Sequence, residues 1–197
     1  MRDMTVELHA GPWGQRAALQ LRPWSQQDIP DLINIYRDPD MRRQAKAPIV
    51  TSDDAQRWLE VQQKGWRDGD RLSFAVREWA AAAEIYRLLG NIALKGHSPG
   101  KASAEVGYWT APAGRGRGVA SGALGTVTNW AFEVLDPHGL QYIELLHQIS
   151  NHASCRVAQK CGYALAGILP AKPPVFPDDG HLHKRIRRPD AGFAGHG

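Results

Sequence analysis

The chain has 197 residues, of which 43% are apolar and 22% charged. That length suits one ordinary domain able to bury its own core, and the composition excludes a wholly disordered chain. The longest apolar run, residues 79–83, is too short to cross a bilayer, and charges and Pro12 interrupt the first 24 residues, so neither membrane insertion nor a signal-peptide core is expected.

Lys and Arg total 24 against 20 Asp and Glu, a net charge of +4 that admits an anionic ligand. Nucleic-acid binding is not expected, because no dense basic stripe with interleaved aromatics is present. The two basic spots are Arg115/Arg117 and residues 184–188, the second reading as a solvated strand end. Cys155 and Cys161 lie in a segment of helical pattern and should face different directions. No CxxC or paired-histidine spacing accompanies them, so no disulfide or metal site is expected, and this cysteine usage fits a reducing cytoplasm.

Residues 1–15 read as a loose leader, 16–188 as the folded domain and 189–197 as a frayed tail. Residues 17–23 suit a short strand closed by Pro23. Ser25 is placed to cap a helix reaching Tyr36, and Thr51 or Ser52 a second helix carrying Ala55, Trp58, Leu59 and Gln62 at helical spacing. Three strands follow at 72–78, 88–95 and 104–110, joined by short connections rich in turn residues that suit an antiparallel meander. Residues 79–87 extend a hairpin tip, or form a helical turn at their alanines. A long helix is predicted over 118–134, with Leu124, Val127, Trp130 and Ala131 inward. A central parallel strand is predicted at 141–147, then a helix over 151–161 stopped by Gly162. Strands at 163–169 and 181–187 close an α/β fold of mixed strand direction.

Chemistry concentrates in residues 105–124, where a strand enters the turn Gly114-Arg115-Gly116-Arg117-Gly118 and the turn opens a helix. The first-turn N–H groups of a helix lack intrahelical acceptors. Gly114, Gly116 and Gly118 permit close approach and positive φ, and the helix dipole adds to Arg115 and Arg117. This arrangement predicts a phosphate or pyrophosphate site. It is not a P-loop, because the Lys-Ser/Thr pair is missing. A dinucleotide fingerprint is met only loosely by Gly116, Gly118 and Ser121, with Glu144 inside an apolar run rather than at its end. A dinucleotide-binding oxidoreductase is therefore the outside alternative.

Arg115-x-x-Gly118-x-Ala120 resembles the pyrophosphate signature of the GNAT superfamily of acyl-CoA N-acyltransferases. Leu21-Arg22-Pro23-Trp24 with Asp28, Glu105-Val-Gly-Tyr-Trp109, and Asn151-x-x-Ser154 leading to Lys160-x-Gly162-Tyr163 resemble, in order, segments of its ribosomal-protein N-acetyltransferase (RimJ/RimL-like) branch. The resemblance spans about residues 17–188. It implies an α/β sheet, mostly antiparallel, with helices on both faces and a splayed pair of strands that receives the pantetheine arm of acetyl-CoA.

On that resemblance Trp109 and Thr110 face the pantetheine. Arg115 and Gly116 belong to the loop, the amides of Arg117, Gly118, Val119, Ala120 and Ser121 hold the pyrophosphate, and Asn151 contacts CoA. The acetyl group passes directly to a primary amine, a protein N-terminal amine ahead of a small-molecule amine. Such an amine attacks only when neutral, which requires a base near pH 7. Glu105 is the candidate base, directly or through water. Many relatives protonate the leaving thiolate with a tyrosine seven residues after the asparagine. Ala158 stands there, so Ser154 is the candidate for that role or for acceptor contact. Cys155 as a covalent nucleophile has no base placed by the sequence. His147 could reach the acceptor cleft, His181 and His183 share a strand face, and Tyr163, Trp58 and Trp66 read as core. A non-catalytic CoA-binding sensor is the alternative of another class. Homodimers are common in such folds, and no sequence feature decides the matter.

Overall fold

Leu72, Phe74 and Val76 alternate along one strand, and each is 1% exposed or less, as expected for a sheet face packed on a core. The computed structural model describes residues 6–11, 18–44, 49–80, 85–135, 139–174 and 177–187. Its strands are β1 (Leu8–Ala10), β2 (Leu19–Pro23), β3 (Arg71–Ala80), β4 (Ile85–Lys95), β5 (Ser103–Thr110), β6 (Tyr142–Gln148), β7 (Ala164–Leu169) and β8 (Gly180–Ile186). They form one sheet in the order β1-β2-β3-β4-β5-β6-β8-β7. Every neighbouring pair is antiparallel except β5–β6, which is parallel.

The helices are α1 (Ile29–Ile35), α2 (Pro39–Gln44), α3 (Ser52–Asp68), α4 (Val119–Leu135) and α5 (His152–Lys160). Val119, Leu124, Val127 and Ala131 of α4 and Ala158 of α5 share a core with Leu21, Phe74, Ile92, Val106 and Leu145 of the sheet. Leu32 of α1, Tyr36 just past its end and Leu59 of α3 pack with Ala75 and Leu88 in a second core, with Trp109 against it. Trp130 is only partly buried. Trp66 is buried and donates from Nε1 to the Ser73 carbonyl at 2.8 Å, and Tyr163 is buried with its hydroxyl 2.6 Å from Thr128 Oγ1. Both are core residues, as expected. Among the described residues no helix is long and apolar enough to cross a membrane.

Several local expectations need correction. Residues 8–10, inside the expected leader, pair with β2 as β1; three residues are too few for alternation to show in the sequence. The expected helix from Ser25 to Tyr36 is divided into a 3-10 turn, Gln26–Asp28, and α1. The Asp28 carboxylate takes both Arg22 guanidinium nitrogens at 2.8 Å and the Ser25 N–H at 2.9 Å, which tightens the entry. The short helix α2 carried no recognisable periodicity. β6 is parallel only to β5, being antiparallel to β8 on its other side. The hairpin tip at 81–84 and the tail at 189–197 lie outside the described residues.

The start of α3 follows its sequence closely. Thr51 Oγ1 accepts from the Asp54 N–H at 3.1 Å, while the Asp54 carboxylate accepts from the Thr51 N–H at 2.9 Å, a reciprocal capping box. The backbone and hydroxyl of Thr51, followed by the Val50 N–H, lower the Asp54 pKa to about 2. Because the folded-state value is depressed, this contribution is complete above the unfolded value near 3.8 and fades as pH falls through about 2. Asp54→Asn should therefore flatten the acid-unfolding curve of the protein between those values and leave its neutral-pH slope unchanged; acid titration followed by circular dichroism measures it.

Candidate active site

β5 and β6 pair only from Ser103/Tyr142 to Val106/Leu145. Beyond that point β5 continues to Thr110 beside β4, and β6 continues to Gln148 beside β8. The two strands therefore part at Val106, and the β6-facing edge of residues 107–110 has no strand partner among the described residues. A backbone edge of this kind hydrogen-bonds an extended amide chain. Gly90 sits behind it on β4, where a Cβ would come within 2.6 Å of the Trp109 carbonyl oxygen; glycine there keeps β5 close to β4.

The glycine turn lies at the open end of this fork. Gly116 and Gly118 have φ of 71° and 80°, in the left-handed region that side chains resist. Gly114 is different from the expectation. It has no positive φ and is buried, with a Cβ position 3.1 Å from the Leu89 carbonyl oxygen, so it is a packing glycine. The first helical bond of α4 runs from the Gly122 N–H to the Gly118 carbonyl at 2.9 Å. The N–H groups of Val119, Ala120 and Ser121 are thereby left at the helix N-terminus without intrahelical acceptors.

A cavity of about 330 Å³ joins the fork to this terminus. Trp109 and Thr110 of β5 line it on one side, and Arg115, Gly116, Gly118, Val119, Ala120 and Ser121 line its end. Asn151, which caps α5, and Ser154 within it form the opposite wall. A second cavity, of about 630 Å³, continues from Gly116, Gly118 and Ser121 past Arg117 and Lys160. The positive charge of the loop is partly committed. Arg115 contacts Asp38 and Asp40 at 3.3 Å each, and Arg117 pairs with Glu78 and donates to the Ala113 carbonyl. The backbone amides at the start of α4 have no such partner within the helix, and the two arginines brace the loop.

Residues 18–164 match the model of the GNAT acetyltransferase domain. The chain belongs to the GNAT acetyltransferase family. Acetyl-CoA is the co-substrate of that family. The fold is similar to that of Mycobacterium smegmatis RimJ in complex with a CoA disulfide (18% identity, TM-score 0.74, covering 91% of this chain and 85% of that one). It is also similar to a Salmonella typhimurium acetyltransferase that modifies the N-terminal serine of ribosomal protein L7/L12 (16%, 0.72, 90% and 98%). A third similar structure is the microcin C7 self-immunity acetyltransferase MccE with acetyl-CoA and AMP (15%, 0.73, 86% and 92%). No curated protein matches the chain at the sequence level.

Within the GNAT fold, Asn151 caps α5. Its side-chain oxygen accepts from the Ser154 N–H at 3.1 Å, which leaves the amide NH2 for a ligand. Tyr108 also lines the smaller cavity, a residue the sequence reading passed over. Its hydroxyl is buried beside that of Ser154 and makes no hydrogen bond of ordinary geometry among the described residues. Burial pushes its pKa up to about 12, partly offset by Ser154. Nothing in the spacing points to Tyr108, because only the fold brings Ser154 of α5 beside it.

Glu105 lies outside both cavity walls and pairs with Lys95. It stands one residue before the fork opens, on the opposite strand face from the buried Ala104 and Val106. Gly107, next on that face, has no side chain, and the end of the Lys95 side chain lies over it, 3.6 Å from where a Cβ would stand. Trp58 packs edge-on against Trp24 at 4.7 Å, and neither lines either of the two cavities. The basic segment at 184–187 is engaged internally: Lys184 with Glu144 at 2.9 Å, Arg185 with the Cys161 carbonyl, and Arg187 with the Phe132 carbonyl at 2.9 Å. Cys155, expected to lack a nearby base, has His147 Nε2 at 3.6 Å and His181 Nδ1 at 3.2 Å. His147 stands opposite His181 across the β6–β8 pair, so it joins the strand-face pair His181/His183.

Proposed function

We propose that the protein transfers the acetyl group of acetyl-CoA directly to a primary amine, with the α-amine of a protein N-terminus as the favoured acceptor. The observation that carries this reading is the cavity running from the free amides of α4 into the β5–β6 fork. Pyrophosphate at Gly118–Ser121 sends the pantetheine along residues 110–107, about 10 Å of strand at 3.3 Å per residue. The thioester then arrives at the fork, within two residues of Glu105.

Glu105 acts as the base for the incoming ammonium, directly or through one water. Direct attack forms the amide bond and breaks the carbon–sulfur bond, and the electron pair leaves on the CoA sulfur. Tyr108, neutral at physiological pH, donates to that thiolate from the α5 side, with Ser154 beside it. The likeness in fold to acetyltransferases of ribosomal-protein N-termini favours an α-amine over lysine, whose higher pKa leaves far less neutral amine near pH 7.

Tyr108→Phe should lower kcat by about 10- to 100-fold while leaving acetyl-CoA affinity unchanged, as steady-state kinetics with a parallel binding titration would show. The reading itself is tested by incubating the protein with acetyl-CoA and three acceptors: a peptide with a free serine or alanine N-terminus, the same peptide Nα-blocked with an internal lysine, and a small primary amine. Acetylation of the first above the others is expected. Preference for the small amine would move the acceptor class, and acetyl-CoA binding without transfer to any amine would favour a sensor.

A further inference from the structure

Three histidines and a cysteine from three separate elements converge beside α5, and none of them lines either cavity. They are His147 at the end of β6, Cys155 in the first turn and a half of α5, and His181 and His183 on one face of β8. Their ligand atoms all lie within 4.8 Å of one another. We propose that His147, Cys155, His181 and His183 form a zinc site that braces the β6–β8 end of the sheet against α5.

The donor set is the first ground. Thiolate with imidazole is the chemistry of tetrahedral zinc. In such a centre, ligand distances of about 2.0–2.1 Å to nitrogen and 2.3 Å to sulfur give N···N edges near 3.4 Å and N···S edges near 3.6 Å. Cys155 Sγ is already 3.6 Å from His147 Nε2 and 3.2 Å from His181 Nδ1. Closing the rest takes side-chain movements of about 1 Å or less.

The second ground is the outward hydrogen bonding of the rings. His147 Nδ1 donates to the Gln148 carbonyl at 2.8 Å, and His183 Nδ1 to the Tyr163 carbonyl at 3.3 Å. Each bond selects the tautomer whose Nε2 carries a lone pair, the usual support of a ligating histidine. His183 Nε2 is buried and has no hydrogen-bond partner among the described residues. A metal ion satisfies that atom.

Four protein ligands leave no open position, so the ion is structural rather than a Lewis acid. On binding, Cys155 releases its thiol proton to solvent, and the imidazoles enter neutral. Cys155 follows Ser154, and the same helix start carries Asn151, so zinc fixes the α5 wall of the cofactor cavity.

The test uses the untagged full chain, stripped of metal and titrated with Co²⁺. A one-to-one tetrahedral spectrum with a sulfur-to-cobalt charge-transfer band is expected, bleached by one equivalent of Zn²⁺. Cys155→Ser should lose the charge-transfer band. Both it and the half-exposed His181→Ala should bind Zn²⁺ at least about tenfold more weakly, and neither should show the zinc-dependent rise in melting temperature of the parent. Absence of a tetrahedral spectrum in the parent, or unchanged Zn²⁺ affinity in both variants, would overturn the proposal. Melting curves in chelator confirm that each variant folds.

Discussion

Gly118→Val is expected to raise the KM for acetyl-CoA by about 10- to 100-fold. Two effects act at the same atom. Gly118 has a φ of 80°, a conformation that costs an L-residue roughly 1–2 kcal/mol, and a β-branched side chain more. Gly118 also lines the cavity together with Val119, Ala120 and Ser121, so a valine adds bulk at that wall. A loss of about 1.4–2.8 kcal/mol corresponds to the stated range. The chemical step should be much less affected, so kcat at saturating acetyl-CoA should change little. An unchanged KM would remove the loop from cofactor binding.

Glu105→Gln is expected to act on the other kinetic parameter. The amide keeps the shape of the carboxylate but accepts no proton, and loss of a general base costs about 100-fold or more in kcat. The deficit should be largest at low pH. An α-amine has a pKa near 8, so below that value nearly every acceptor arrives protonated, whereas above it most arrive neutral and need no base. The rates of variant and parent should therefore converge as pH rises past about 8. Acetyl-CoA affinity should be unchanged, because Glu105 is absent from both cavity walls. The cost in stability is small: the broken partner is Lys95 in a half-exposed pair, worth about 0–1 kcal/mol. Parallel pH profiles for the two proteins would exclude Glu105 as the base.

What was legible in the sequence was local. The turn from β5 through Gly116 and Gly118 into α4 is contiguous, and its chemistry follows from backbone geometry that glycine announces. A helix start at Thr51 or Ser52 and the alternation of Leu72, Phe74 and Val76 are of the same kind; that Thr51 is the cap and Asp54 its reciprocal partner came from the structure. Elements too short to hold a period, β1 and α2, did not show. The arginines of the loop were read as ligand charges, and only the fold brings Glu78, Asp38 and Asp40 to them. Tyr108 and Ser154 are 46 positions apart and meet because β5 and α5 line the same cavity. The His147–Cys155–His181–His183 cluster has no metal-motif spacing, since its ligands come from β6, α5 and β8. Its geometry is set by strand register, which pairs His147 with His181.

The most direct test of the central claim, that the fork and the α4 N-terminus form an acetyl-CoA site, is a calorimetric titration of the purified protein with acetyl-CoA, with NAD as the control. One-to-one micromolar binding of acetyl-CoA, weakened in Gly118→Val, with no heat from NAD, is the predicted result. Folded protein that binds NAD, or that leaves acetyl-CoA free in solution, would contradict the account.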